Sequence, residues 1–257
     1  MKFTGLTDKS ITDNNIHDSK YSMQFLELLT SKQVNKIIHQ IDALSSHWEQ
    51  RNMDLPFFTL GAASYLDSSR VSNKRYYNKL ERLNPILWAN FEWLYDLVLG
   101  GLKQITGKEC QLADGQALPG FHIFLAHQQF LEPVASMHID LQHQTLLWPE
   151  GQQIDLKQNT LSFTLALALP ESGAGLNTWP ESHKDLMAMP FWSTLLGSAE
   201  IQSKCRYIEY QPGQMVIHSG QLLHQIAPLR EYNPLDRRIT LQGHAVLCDK
   251  NTYLIYW

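Results

Sequence analysis

The sequence predicts a mainly β, α+β fold: an α-rich N-terminal support backing a β-sandwich. Two observations carry this. Apolar residues recur at helical spacing only in the first part of the chain, and from about residue 110 the period shortens to that of a strand. The clearest strand, Thr160 to Leu169, puts Leu161, Phe163, Leu165, Leu167 and Leu169 on one face. Thr160, Ser162, Thr164, Ala166 and Ala168 fall on the other, a small and partly polar surface suited to a cavity wall or to solvent.

Taken in order, residues 1–20 are polar and patternless, a loose arm. Residues 22–50 read as helical, with an N-cap at Leu29-Thr30-Ser31 and Val34, Ile37, Ile38, Ile41 and Leu44 on one side. Residues 52–70, with Pro56 and Gly61, read as loop and short strand. A second helix is expected from Asn84 as N-cap and Pro85 in the first turn, with Leu87, Phe91, Leu94, Val98 and Leu102 as its apolar face and Gly107 past its end. Its aromatics, Trp88, Phe91, Trp93 and Tyr95, are read as packing surface rather than a binding box. Further strands are expected at 121–126, 205–210, after the Pro212-Gly213 turn, and from Arg237 to Leu247, with a short helix somewhere in 181–199. The apolar tail, Tyr253 to Trp257, should pack on the body. The whole chain, 1–257, is read as one domain, with 1–110 as the α-rich support and 111–257 as the β core.

Composition narrows the partners. The 21 basic residues against 25 acidic give a net charge of −4, which offers no basic footprint for nucleic acid and no polybasic membrane patch. Cys110, Cys205 and Cys248 are odd in number and scattered, with neither a zinc pattern nor a disulfide framework, as suits a reducing cytoplasm. No apolar run reaches the length of a membrane span.

The chemistry centres on Met137-His138-Ile139-Asp140. On a strand, His138 and Asp140 leave the same face, and together they make two thirds of the 2-His-1-carboxylate facial triad that holds Fe(II). Downstream, Pro212-Gly213 makes a turn, a short apolar strand follows, Gly220 breaks it, and His224 comes next, with His218 inside the strand. Along 237–247, Arg238 shares parity with the polar Thr240, Gln242 and His244, and Arg237 with mostly apolar residues. A polar cavity face therefore favours Arg238.

This order of elements resembles the Fe(II)/2-oxoglutarate-dependent oxygenases over roughly residues 118–248: His-x-Asp, a distant His after a Gly turn and strand, then Arg-x-Ser/Thr. The segment Gly175 to Lys184 is similar to a loop of the phytanoyl-CoA hydroxylase-like members, with Glu181 where they carry glycine. The resemblance implies a double-stranded β-helix, or jelly roll, for the sandwich. It implies Fe(II) on His138, Asp140 and His224, with His218 as the competing third ligand. It implies 2-oxoglutarate anchored by Arg238 and Thr240, with Arg237 as the competing anchor. The activity implied is dioxygenase hydroxylation of an unactivated C–H, with O2 and a small-molecule substrate as partners.

Other residues carry weaker expectations. His143 belongs on a loop or lid, His122 or His127 could reach the co-substrate, and His183 is structural. Trp148 and Trp179 could shape a substrate pocket or pack the core. Two other readings stand beside the oxygenase: a cupin-like metalloenzyme that does not use 2-oxoglutarate, and a non-catalytic jelly-roll scaffold.

Overall fold

The computed structural model describes residues 23–69, 71–149, 154, 160–182, 198–249 and 251–257. The arm at 1–20, His183 and most of the span expected to hold a short helix lie outside these residues; Ala199–Gln202 (α4) is a helical turn capped by Ser198.

The first strand is a correction. Gln24–Glu27 (β1) falls in the segment expected to be helical, yet it pairs antiparallel with Gln214–Ser219 (β9), Phe25 opposite Val216. Its short apolar run carries no period of its own, so pairing with an existing sheet edge decides its structure. The helix begins only at Ser31–Ala43 (α1). There Thr30 accepts from the Gln33 N–H while the Gln33 side chain accepts from the Thr30 N–H, a reciprocal capping box. Glu49–Gln50 (β2), Phe57–Leu60 (β3) and the helical turn Ser64–Asp67 (α2) follow.

The second long helix, Lys74–Thr106 (α3), starts a full ten residues before the expected Asn84. Pro85 sits inside it, where it removes one helical N–H. Asn84 looks like a cap but is used sideways: its amide donates to the Gln116 carbonyl at 2.8 Å and accepts from Leu118 N at 3.1 Å. Gly107 ends the helix as expected, left-handed at φ 69°, its N–H on the Lys103 carbonyl.

Glu109–Leu112 (β4), Gly120–Leu125 (β5), Leu161–Ala168 (β6), Leu176–Ser182 (β7), Arg206–Ile208 (β8), β9, Leu222–Ile226 (β10), Arg237–Leu247 (β11) and Thr252–Tyr256 (β12) complete the chain. A nine-stranded sheet runs β1-β9-β6-β11-β5-β3-β2, with β12 on β11 and β4 parallel to β12. A second sheet runs β10-β7-β8, and His138 adds to it by a bridge to His224. Along the chain, β5, the bridge, β6, β7 and β8, β9, β10 and β11 therefore alternate between the two sheets, which is the winding of a double-stranded β-helix. Strand β7 covers most of the segment expected to be the Gly175–Lys184 loop.

Period-two alternation sets the layers. Phe121, Ile123, Leu161, Phe163, Leu165, Met215, Ile217, Ile239 and Leu241 face α1 and α3, against Ile37, Leu87, Phe91 and Leu94, in one continuous core. Each such side chain contributes about 1.5–3 kcal/mol on full burial. Trp257 is buried, as expected of the tail. The opposite face of the large sheet, facing the small one, is left for polar residues. No helix among the described residues is long and apolar enough to cross a membrane.

Candidate metal centre and co-substrate pocket

Between the sheets lies a cavity of about 520 Å³. Its lining brings together His138, Asp140, His224, Arg238, Gln242 and His244 from the expected set, and adds Tyr65, Ser162, Thr164 and Tyr210.

His138 and Asp140 do not lie on a strand. Only the His138 bridge to His224 is sheet-like, its N–H and carbonyl each paired with His224 at 2.9 Å. Asp140 is pinned instead by its N–H on the Gly220 carbonyl at 2.6 Å and by the Thr160 hydroxyl on its own carbonyl at 3.0 Å. Gly220 does more than end a strand: a Cβ there would lie 2.0 Å from Thr160 Oγ1, so only glycine lets these backbones meet.

One ligand atom from each of His138, Asp140 and His224 lies within 4.8 Å of the others, the one such group found among the described residues. His224 Nε2 is 3.4 Å from Asp140 Oδ2, and His138 Nε2 is 3.8 Å from Oδ1. Both histidines give Nδ1–H to a backbone carbonyl two residues earlier, Ser136 and Leu222, at 2.8 Å. A carbonyl only accepts, so each ring holds its proton on Nδ1 and turns the Nε2 lone pair to the cavity. Burial, then His138, lowers His224 to about 3, so it is neutral. Burial alone would raise the Asp140 carboxyl, but His224, His244, His138 and the Ser162 hydroxyl outweigh it and hold it well below the ordinary range. Two imidazoles with Nε2 toward the cavity and one ionised carboxylate, open on the cavity side, are a donor set that fits Fe(II).

His218 lies beside this group, its ring 4.8 Å from His224, but outside it; its Nδ1–H goes to the Ser219 carbonyl. Arg238 is buried in the cavity wall, with Nε on the Ala174 carbonyl at 2.9 Å and Nη1 on Thr240 Oγ1 at 3.3 Å. Phe124 and Tyr210 flank its guanidinium. Thr240 does not line the cavity. It is fully buried under Arg238 and also accepts from Gln242 at 3.1 Å. Arg237 is spent on Asp42 at 2.9 Å.

The remaining histidines separate cleanly. His122 faces the cavity and meets the Tyr65 hydroxyl, and burial, then Arg238, holds it neutral. His127 instead caps a short turn, its ring accepting from Gln129 N at 3.3 Å. His143 is not on an open lid but fully buried in the turn Gln142–Gln144. Trp148 packs on Tyr256 and Trp179 on Leu223, both away from the cavity. Tyr65 had no local signal. Ser162 did: it lies on the small polar face of its strand.

Among solved structures, the chain is similar to an N-substituted L-amino acid dioxygenase from Burkholderia ambifaria AMMD, at 13% identity and TM-score 0.53 over 95% of this chain and 91% of that one. It is similar to SnoN, the non-heme alpha ketoglutarate dependent epimerase from nogalamycin biosynthesis, at 10% identity and TM-score 0.52 over 91% and 84%. The chain has the fold of these two proteins. HygX from Streptomyces hygroscopicus, with nickel and 2-oxoglutarate bound, shares this fold at 13% identity and TM-score 0.50 over 90% and 85%. No protein-family model and no curated protein matches the sequence.

Proposed function

We propose that this chain is a non-haem Fe(II)- and 2-oxoglutarate-dependent dioxygenase that hydroxylates an unactivated C–H bond of a small molecule, the whole chain acting as one domain. One observation carries the reading: His138, Asp140 and His224 converge on the same cavity that buries Arg238. Such a pairing is what a metal-chelated keto diacid requires, one end for the metal and one cation for the far carboxylate.

Iron and 2-oxoglutarate, when bound, supply the oxidation, in which the keto acid goes to succinate and CO2 and one oxygen atom of O2 enters the substrate. The chain supplies position. His138, Asp140 and His224 hold the metal from one side. Arg238, its guanidinium plane set by the Ala174 carbonyl and Thr240, gives its remaining N–H groups to the distal carboxylate. Thr240 stands behind the cavity wall and accepts from Arg238 and Gln242, so it would act on the carboxylate through the guanidinium it holds rather than by a hydrogen bond of its own. Leu55, Phe57, Val134 and Ile226 form an apolar wall for the substrate. Three cysteines, none in a disulfide, suit a cytoplasmic setting.

The test is an anaerobic titration of apo protein with Fe(II) and then 2-oxoglutarate, followed by the weak visible charge-transfer band of the chelate. A band that appears in the wild type and is absent in His224→Ala supports the reading. Iron binding without a band overturns 2-oxoglutarate dependence, and no iron binding overturns the enzyme.

A further inference from the structure

Strand register lays three polar side chains in a row across the cavity floor. His244 on β11 and His218 on β9 both lie opposite Ser162 on β6. All three are buried. Asp140 sits over the middle of this row, and Ser162 Oγ is 2.6 Å from its Oδ2. A hydroxyl has one proton and an ionised carboxylate only accepts, so Ser162 donates to Asp140. The contact between Ser162 Oγ and His244 Nδ1, at 3.2 Å, must then run the other way. His244 donates its Nδ1–H to the serine oxygen.

We propose that His244 and Ser162 form a positioning relay, Nδ1–H to Oγ–H to Oδ2, that fixes the orientation of the Asp140 carboxylate for the metal. The proposal rests on the metal reading of the triad. Oδ1 is held separately, by the Gln142 amide at 3.0 Å. Each carboxylate oxygen thus carries one neutral donor and keeps a lone pair toward the imidazole it faces, Oδ2 toward His224 and Oδ1 toward His138. Neutral donors restrain the carboxylate without setting a second cation against the metal. His244 acts through the serine. Its Nδ1 lies 3.8 Å from Oδ2, and it stands outside the ligand group. The backbone restraints on Asp140 place its Cα; the relay sets the rotation of its carboxylate.

The experiment measures Fe(II) affinity of apo protein anaerobically, by competition with a chromogenic chelator, and records the visible band after adding 2-oxoglutarate. Ser162→Ala weakens Fe(II) binding about 10- to 100-fold and moves the band. Ser162→Thr, which keeps the hydroxyl, recovers both. His244→Leu weakens binding in the same direction, and His244→Gln, which keeps an N–H donor, recovers it. The double variant Ser162→Ala/His244→Leu loses no more than Ser162→Ala alone, because one residue acts through the other. Wild-type affinity in Ser162→Ala, or a double variant whose losses add, overturns the relay while leaving the metal site standing. A wild-type protein that takes no Fe(II) overturns the metal reading and the relay with it.

Discussion

His138 and His224 hydrogen-bond each other twice through the backbone, each N–H on the other's carbonyl at 2.9 Å. Two proposed ligands far apart in sequence are therefore joined by the fold itself, independently of any metal. Apo protein is expected to be folded and His224→Ala to melt less than about 5 °C below wild type, since a loss near 1 kcal/mol moves the midpoint by only a few degrees. Fe(II) at one hundred times its dissociation constant should add about 2.7 kcal/mol to the wild type and nothing to the variant. Calorimetry with and without Fe(II) checks both. An apo protein that is unfolded would contradict this reading of the bridge.

Arg238 and Arg237 are neighbours with opposite surroundings, one buried on the cavity and one paired with Asp42 at the surface. Removing a buried charged partner costs about 2–5 kcal/mol, so Arg238→Ala should weaken 2-oxoglutarate by about 30-fold or more. Arg238→Lys should fail as well, because a point charge does not replace the planar fork. Arg237→Ala should bind 2-oxoglutarate as wild type does. Titration of the Fe(II) protein with 2-oxoglutarate, read at the visible band, compares the three.

Gly220→Ala should damage the metal site from behind. The added Cβ would stand 2.0 Å from Thr160 Oγ1 and 3.0 Å from the Asp140 carbonyl, so one of the two must move. Fe(II) affinity should fall about tenfold or more, as for other losses of support to a ligand. The same chelator competition reads it, and unchanged affinity would mean that Asp140 is held well enough without that approach.

Helical turn α2, which carries Tyr65, is clamped by an ion cluster built on the buried Arg51–Asp67 pair. Arg51 forks onto Asp67 at 2.6 and 2.9 Å, Lys79 bridges Asp67 and Glu49, and Arg75 reaches Glu49. Burial raises the Asp67 carboxyl, but hydrogen bonds from Arg51 and Lys79 and their charges outweigh it, leaving it below its ordinary 3.8. Glu49 is lowered in the same way, burial being outweighed by Lys79, Arg51 and Arg75. A folded value below the unfolded one gives stability that is complete above the ordinary carboxylate range and is lost as the pH falls through the folded value. Asp67→Asn should therefore cost about 3–5 kcal/mol at neutral pH. Its deficit should shrink as the pH falls below the ordinary carboxylate range and through the lowered folded value, where the wild type loses the same charge. Urea unfolding across that range measures it.

The site was legible wherever chemistry repeats at short range. Strand parity and the Arg-x-Thr pattern both pointed to Arg238, while the small face of Thr160–Leu169 left cavity and solvent equally open; Ser162 and Thr164 line the cavity. His138 and Asp140 were found on the assumption of a strand that is absent; what holds them is a bridge and the approach of Gly220, both made by distant segments. Asn84-Pro85 carried a cap signature yet sits mid-helix, because a partner at Gln116 and Leu118 claims the asparagine. Gln24–Glu27 took its structure from an edge only the finished sheet provides. Tyr65 and the relay through Ser162 arise from contacts across the sheets, which local pattern does not encode.

Strand β11 carries Arg238 at one end and His244, behind the triad, toward the other. A strand advances about 3.3 Å per residue and does not stretch, and this one is locked on both sides by β5, β6 and β12. The spacing between Arg238 and the His244 end that backs Asp140 through Ser162 is thus set by the backbone of a single strand. Under the proposed chemistry, β11 acts as a gauge of length. A keto diacid one carbon shorter than 2-oxoglutarate would leave one end unmet, and one carbon longer would have to buckle.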